Sequence, residues 1–383
     1  MKRKVFTDEH DAFRRMVRGF LEKNVVPNFE KWEEQGAPPR EFYNEVGELG
    51  ILGIQIPQEY GGSGEQTYKY SAVLTEETLR AKLGLGSLRV HMDIVLPYLL
   101  KYATAEQKQR WLPGAASGDL ISAIAMTEPG TGSDLAGISS TATRDGDTYV
   151  LNGSKTFITG GVNADLMLVV ARTAPVDLDN RRAGLSILVV ETSSPGFGVV
   201  RTLSKLGMKA QDTVELYFDN VRVPAANLLG EEGRAFDYLG HNLAQERLSI
   251  AVGSQAAAVA ALNETTTYVK DRNVFGRPLS SMQNTKFILA ECATEIEAGQ
   301  MLVDRALDDH DQGELSAVDA AKVKLFCTEL QGRVVDKCLQ LFGGYGYMLE
   351  YPIARLYADA RVTRIYGGTS EIMKTIISKS LGL

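Results

Sequence analysis

Leu166-Met-Leu-Val-Val-Ala171 reads as a β-strand, and with Leu185-Ser-Ile-Leu-Val-Val190 and Val214-Glu-Leu-Tyr-Phe218 it sets the character of the middle of the chain. Short runs of β-branched and apolar residues, separated by Asp145-Gly146, Asn152-Gly153 and Pro195-Gly196, form a strand-and-turn pattern. No helical periodicity intervenes between these strands. Residues 121–230 are therefore expected to pair antiparallel, as a small barrel or sandwich.

Outward from this segment the period becomes helical on both sides. Phe13, Val17, Phe20 and Leu21 recur at helical intervals, as do the apolar residues from Leu96 to Leu112, so residues 1–120 read as a helical domain. Within it, Ile56-Pro57-Gln58-Glu59-Tyr60-Gly61-Gly62-Ser63-Gly64 must be a loop, because proline and closely spaced glycines cannot hold a helix. Over residues 231–383, Val318, Ala321 and Leu325, then Val334, Cys338 and Leu341, mark stripes to be buried on long helices suited to a bundle. The expected fold class is α+β: helical domain, antiparallel β-barrel or sandwich, helical bundle. The polar connection Pro175-Val-Asp-Leu-Asp-Asn-Arg-Arg182 reads as the least ordered part.

Composition narrows the function. A content of 44% apolar and 23% charged residues is that of an ordinary soluble globular chain. No run approaches the ~20 apolar residues of a membrane span, and the basic start lacks a secretory apolar stretch, so no membrane and a cytoplasmic location are expected. The net charge of −7, from 41 basic and 48 acidic residues, leaves no basic surface for nucleic acid. Cys292, Cys327 and Cys338 show no metal-ligand spacing and read as reduced packing residues, and four scattered histidines form no metal cluster. Small-molecule chemistry is the expectation.

Three features could carry it. At 100° per residue, Leu239, Leu243, Ile250, Gly253 and Ala257 fall within about 60° of Glu246, so an inward-facing helical stripe carries a carboxylate. Desolvation would raise its pKa and suit it to general-base work, while an ion pair with Arg247 or a nearby helix is the alternative. Phe342-Gly343-Gly344-Tyr345-Gly346 and Gly367-Gly368-Thr369-Ser370-Glu371 place small residues at helix boundaries, where backbone N–H groups can meet an anion or carbonyl; simple turns are the alternative. Thr369 suits an N-cap. Met126-Thr-Glu-Pro-Gly-Thr-Gly-Ser-Asp134 ends a strand in hydroxyls and glycines, and with Phe157-Ile158-Thr159 it offers donors and a ring to a flat heterocycle, unless it is an exposed turn beside a core strand.

Together these residues resemble the acyl-CoA dehydrogenase family over nearly the whole chain. The marks, in order, are Ile56-Pro-Gln-Glu-Tyr-Gly-Gly62, Met126 to Asp134, Phe157 to Thr159, Asp271-Arg-Asn-Val-Phe-Gly276 with Gln283, Gln340-Leu-Phe-Gly-Gly-Tyr-Gly346 and Tyr366-Gly-Gly-Thr369. The resemblance implies a four-helix bundle at the C-terminus and bound FAD. Met126, Thr127 and Ser133 would line the flavin, Phe157 would cover its face, Ile158 would contact the cofactor, and Thr159 would donate near N5. Arg272, Phe275 and Gln283, with Gln340, Leu341, Phe342, Gly343 and Gly344, would hold the far half of an FAD belonging to a neighbouring subunit. Thr369, Ser370 and Glu371 would contact cofactor at the last helix. Ser133, Ala244, Arg247, Tyr366, Gly367 and Gly368 would meet the acyl-CoA substrate. Shared sites imply an oligomer, usually a homotetramer, and an electron-transfer flavoprotein as partner.

One position departs from the common pattern. Most members of this family carry Glu directly after the tyrosine of the Tyr-x-Gly-Thr motif, where this chain has Gly367. Glu246, in Gln245-Glu246-Arg247, matches the alternative base position of long-chain and isovaleryl-type members, and the Tyr-Gly-Gly-Thr tail looks more like the long-chain type. The resemblance then implies FAD-dependent α,β-dehydrogenation of a saturated acyl-CoA to the trans-2-enoyl-CoA. Glu246 takes the α-proton, the β-hydride passes to flavin N5, and the Gly367 amide binds the thioester carbonyl. Arg247 serves the substrate's nucleotide moiety or orients Glu246, with a structural ion pair as the alternative. A carrier-protein thioester dehydrogenase, an oxygen-using flavin oxidase or hydroxylase, and a non-catalytic binding or scaffold member are the competing readings.

Overall fold

The computed structural model describes residues 2–383. Helices α1 (Asp8–Phe20), α2 (Phe29–Gln35), α3 (Arg40–Glu48), α4 (Lys69–Arg80), α5 (Gly86–Arg89), α6 (Leu96–Tyr102) and α7 (Ala105–Ser117) come first. Local chemistry sets their ends: Thr104 and Gln107 form a reciprocal capping box at the start of α7, and Gly118 closes that helix in the left-handed conformation. Between α5 and α6 the backbone widens into a π-helical segment, Val90–Val95. The loop from Ile56 to Gly64 holds only a 3₁₀ turn, Gln58–Tyr60.

Strands β1 (Ser122–Ala125), β2 (Thr141–Asp145), β3 (Thr148–Thr159), β4 (Leu166–Arg172), β5 (Leu185–Glu191), β6 (Phe197–Thr202), β7 (Thr213–Pro224) and β8 (Leu228–Leu229) follow. They form one sheet in the order β6-β7-β3-β2-β4-β5-β8, with β1 beside β4. Most neighbours are antiparallel, but β1 runs parallel to β4, Ser122 facing Leu166, and β2 meets β4 in one parallel pair, Thr141 with Arg172. The expectation of purely antiparallel pairing is corrected here. A parallel pair needs a long crossover, and the chain between β1 and β4 supplies one that contains the β2–β3 hairpin instead of a helix. β4 has no polar face because both its faces are buried. Leu166, Leu168 and Val170 pack with α6 and α7, while Met167, Val169 and Ala171 pack with residues of β1, β3, β5 and β7.

Asn152-Gly153 is also corrected: it lies inside β3, at a register shift against β7, and makes no turn. The pair is a bulge, with Gly153 at φ 144°, where a Cβ would lie 2.3 Å from Ser140 Oγ.

The C-terminal part comprises α8 (Ala235–Asp271), a short hairpin of β9 (Asn273–Val274) and β10 (Arg277–Pro278), then α9 (Gln283–Asp311), α10 (Ala317–Phe342), α11 (Pro352–Thr363) and α12 (Ser370–Ser380). α8 to α11 pack into a bundle, and α12 lies on α10. From Glu246 to Ala258 every residue of α8 is buried, because α4, α9, α10 and α11 all pack against it. On α10 the buried stripe runs through Ala320, Ala321, Lys324 and Thr328, with Leu325 only half-buried, so a lysine occupies a core position.

Candidate active site

Glu246 lies in the fully buried stretch of α8 with 4% of its surface exposed. Its one hydrogen bond among the described residues comes from the Tyr98 hydroxyl on α6, which donates to Oε1 at 3.1 Å. No cation lies within ion-pair distance of it among the described residues, so the ion-pair alternative for Glu246 does not hold. Burial pushes its carboxyl up to about 7, against the opposing pull of the Tyr98 hydroxyl and of positive Arg247. Arg247, 6% exposed, leaves Nε without a partner, and burial lowers its pKa with Glu246 opposing.

One helical turn beyond Glu246, Ile250 abuts the turn that joins α11 to α12. Gly367 and Gly368 in that turn both have left-handed backbone, at φ 63° and 94°. A Cβ on Gly367 would lie 2.3 Å from Ile250 Cδ1, so a side chain there meets α8 directly. The turn is anchored on both sides. Ser370 N–H donates to Arg364 O at 3.2 Å, Ser370 Oγ donates to Glu329 at 2.6 Å, and Thr369 caps α12 by accepting from Ile372 N–H. The N–H groups of Gly367 and Gly368 have no acceptor among the described residues, which leaves them free for a ligand carbonyl. Lys324 of α10, 1% exposed, donates from Nζ to Gly368 O at 2.5 Å.

The loop after β1 is fixed by a buried ion pair. Lys155 Nζ lies 2.8 Å from Glu128 Oε1 and donates to Met126 O at 3.0 Å, while Glu128 also accepts from Ser139 and Ser140 N–H groups. Against the upward push of burial, these partners hold Glu128 at about 2; burial lowers Lys155 to about 8, with Glu128 opposing. Beside this loop, Phe157 takes the left-handed conformation at φ 59° and stands 66% exposed, at a register shift between Lys155 and Ile158. A large ring held out of a sheet in a strained conformation is poised to cover something flat. Met126, Thr127, Ile158 and Thr159 flank it, Thr156 N–H bonding Thr127 O at 2.9 Å, and Ser133 is exposed on the same loop.

A cavity of about 790 Å³ opens at the far end of α8. Arg272 and residues Gln340 to Gly344 line it, with Tyr268 stacked on Phe342 at 3.9 Å between ring centres. Phe275, at the tip of the β9–β10 hairpin, is 97% exposed, and Gln283 is exposed at the start of α9. From Glu246 to the end of α8 is roughly 40 Å at 1.5 Å rise per residue. Among the expected site residues, Glu246 and the Gly367 turn thus lie at one part of α8, and Arg272 with Gln340 to Gly344 at its far end.

Family models cover almost the whole length. Residues 7–119 match "Acyl-CoA dehydrogenase, N-terminal domain", residues 123–221 the middle domain and residues 233–382 the C-terminal domain. The chain belongs to the acyl-CoA dehydrogenase family. The mitochondrial long-chain specific acyl-CoA dehydrogenase of Sus scrofa is 44% identical over 384 residues, covering 99% of this chain and 88% of that protein. The crystal structure of an acyl-CoA dehydrogenase from Geobacillus kaustophilus has a TM-score of 0.97 at 47% identity, covering 100% of both chains. A glutaryl-CoA dehydrogenase from Mycobacterium smegmatis, solved in complex with FADH2, has a TM-score of 0.90 at 32% identity, covering 98% of this chain and 95% of that one. Among acyl-CoA dehydrogenases this chain is thus an enzyme of the class, an oxidoreductase, with glycine at 367 and a buried carboxylate at 246. Tyr98, Lys324 and the Glu128–Lys155 pair went unrecognised in the sequence. The lysine on an apolar helical stripe was the available signal for Lys324.

Proposed function

We propose that this acyl-CoA dehydrogenase oxidises a saturated acyl-CoA to the trans-2-enoyl-CoA with Glu246 as the base. The observation that carries this is a buried carboxylate near neutrality, without an ion-pair partner among the described residues, one helical turn from Ile250, whose side chain packs against the Gly367 turn. An α-proton of a thioester leaves only if the developing enolate oxygen is stabilised, and the Gly367 N–H is the donor placed for it. Glu246 accepts that proton, and closure of the site around substrate excludes the water that would otherwise solvate the carboxylate. Arg247, with Nε unpaired, meets the polar part of the substrate.

The residues fit FAD. The exposed, strained Phe157 supplies a face, and Met126, Thr127, Thr159 and Ser133 supply the rim, while Ile158 between them is packed in the sheet core. Arg272, Phe275, Gln283, Gln340 to Gly344, and Thr369, Ser370 and Glu371 take the remaining contacts. FAD supplies the hydride acceptor for the β-hydrogen. The roughly 40 Å from Glu246 to the Arg272 end of α8 is long for one dinucleotide to span, which supports a site completed by a second copy of the chain, as in a homotetramer. An electron-transfer flavoprotein then takes the electrons.

An anaerobic titration with short, medium, long and branched acyl-CoAs, followed by flavin absorbance, tests the reading. Bleaching by one chain class supports it. An intact flavin spectrum with every thioester removes it.

A further inference from the structure

Lys324 is a buried cation that the reaction as written does not use. It sits among apolar neighbours on α10, its Nζ donates only to Gly368 O among the described residues, and its Cε is 3.8 Å from where a Cβ of Gly367 would stand. Burial first, and then the nearby Arg247, lower its pKa to about 8, with Glu329 opposing. Burying an ammonium beside another cation and without an ion-pair partner costs stability, so its presence in the core calls for a role.

The dependent group is the turn. Two successive left-handed glycines are free to rotate their peptide planes, and no backbone hydrogen bond among the described residues fixes the N–H of either. The Lys324–Gly368 bond fixes the carbonyl at the end of this pair. With Ser370 and Thr369 holding the start of α12, this narrows the orientations open to the two peptides that precede it, the Gly367 N–H among them.

We propose that Lys324 is a positioning residue, whose hydrogen bond to the Gly368 carbonyl holds the Gly367 N–H aimed at the substrate thioester oxygen. This rests on the proposed α-proton abstraction at that site. Because the donor is aimed and not removed, its loss should cost less than the ~10²–10³ of deleting an oxyanion donor outright, on the order of tenfold to a hundredfold.

The test separates proton abstraction from hydride transfer. In a 3-thiaacyl-CoA the sulfur at the β position leaves no β-hydrogen to transfer, so exchange of its α-protons in D2O, read by proton NMR, reports enolate formation alone. In FAD-loaded Lys324→Met, exchange and kcat should fall together by that factor while KM stays within about twofold. Lys324→Gln, which still donates to Gly368 O, should recover most of the loss. Wild-type exchange in the Met variant overturns the proposal. So does a Gln variant no faster than Met, since charge would then be the operative property, and so does failure of both variants to fold or hold FAD, since Lys324 would then be a folding residue. Failure of the Glu246 reading has a different signature: Glu246→Gln itself exchanges the α-proton at the wild-type rate.

Discussion

At the scale of single residues, Glu246 joins function to stability. Its carboxyl is raised by burial to about 7 in the folded chain, from an ordinary value of 4.5. Below 4.5 both folded and unfolded states are neutral there and no penalty arises. As pH rises towards 7 the unfolded chain ionises first, so stability falls across that window, by roughly 3 kcal/mol in total, and stays lower above it. Glu246→Gln should therefore retain FAD, lose dehydrogenation by several orders of magnitude, and melt higher than wild type at pH 8. The two proteins should converge at pH 4, as measured by thermal unfolding. A melting-temperature difference independent of pH would disconnect the burial from the titration. Tyr98 gives the complementary case. Its hydroxyl favours the charged carboxylate, so Tyr98→Phe removes a bond worth ~1.5–3 kcal/mol and should move the acid limb of kcat/KM about one unit or more to higher pH. An unchanged limb would mean that Glu246 does not set it.

At the scale of elements, α8 and the α11–α12 turn are complementary in shape. The family's common arrangement places a carboxylate at the position of Gly367, but here Ile250 Cδ1 fills that space. Moving the base, with Glu246→Gly and Gly367→Glu together, should thus recover little activity. Adding Ile250→Val, which deletes the Cδ1 carbon, should raise recovered turnover severalfold, by relieving overpacking of ~1–3 kcal/mol. Equal turnover in the double and triple variants would show that the left-handed backbone at 367, and not Ile250, is the obstacle. The same elements show what could be read from the sequence. The inward face of α8 was legible because helical geometry is local, so Glu246 could be placed among Leu239, Ile250 and Gly253 by angle alone. Tyr98 was not, because it is 148 residues away in sequence and meets Glu246 only through tertiary packing. Asn152-Gly153 was misread for a related reason: the pair suits a hairpin turn equally well, and the presence of β7 and Ser140 makes it a bulge. The parallel β1–β4 pair was hidden because a four-residue strand carries no sign of its partner.

At the scale of the whole molecule, α8 puts Glu246 and the Arg272 end roughly 40 Å apart, and the proposed function draws the two from different copies of the chain. The surface around Arg272 is suited to that. Phe275 is 97% exposed, Tyr347 85% and Leu349 65%, a concentration of apolar side chains that is costly to leave in water. If the base comes from one subunit and the Arg272 contact from its neighbour, two inactive variants should complement each other. Glu246→Gln lacks the base but keeps Arg272, and Arg272→Glu keeps the base but repels the cofactor's phosphates. In a mixed dimer one of the two sites then combines an intact Glu246 with an intact Arg272. Random co-assembly after co-expression should restore about a quarter of wild-type activity per flavin site, because half the dimers are mixed and each carries one good site. The two variants purified separately and mixed without subunit exchange should stay inactive. Activity near zero in verified mixed oligomers would place both halves of the site in the same chain, and the geometry of α8 would then require a large rearrangement on cofactor binding.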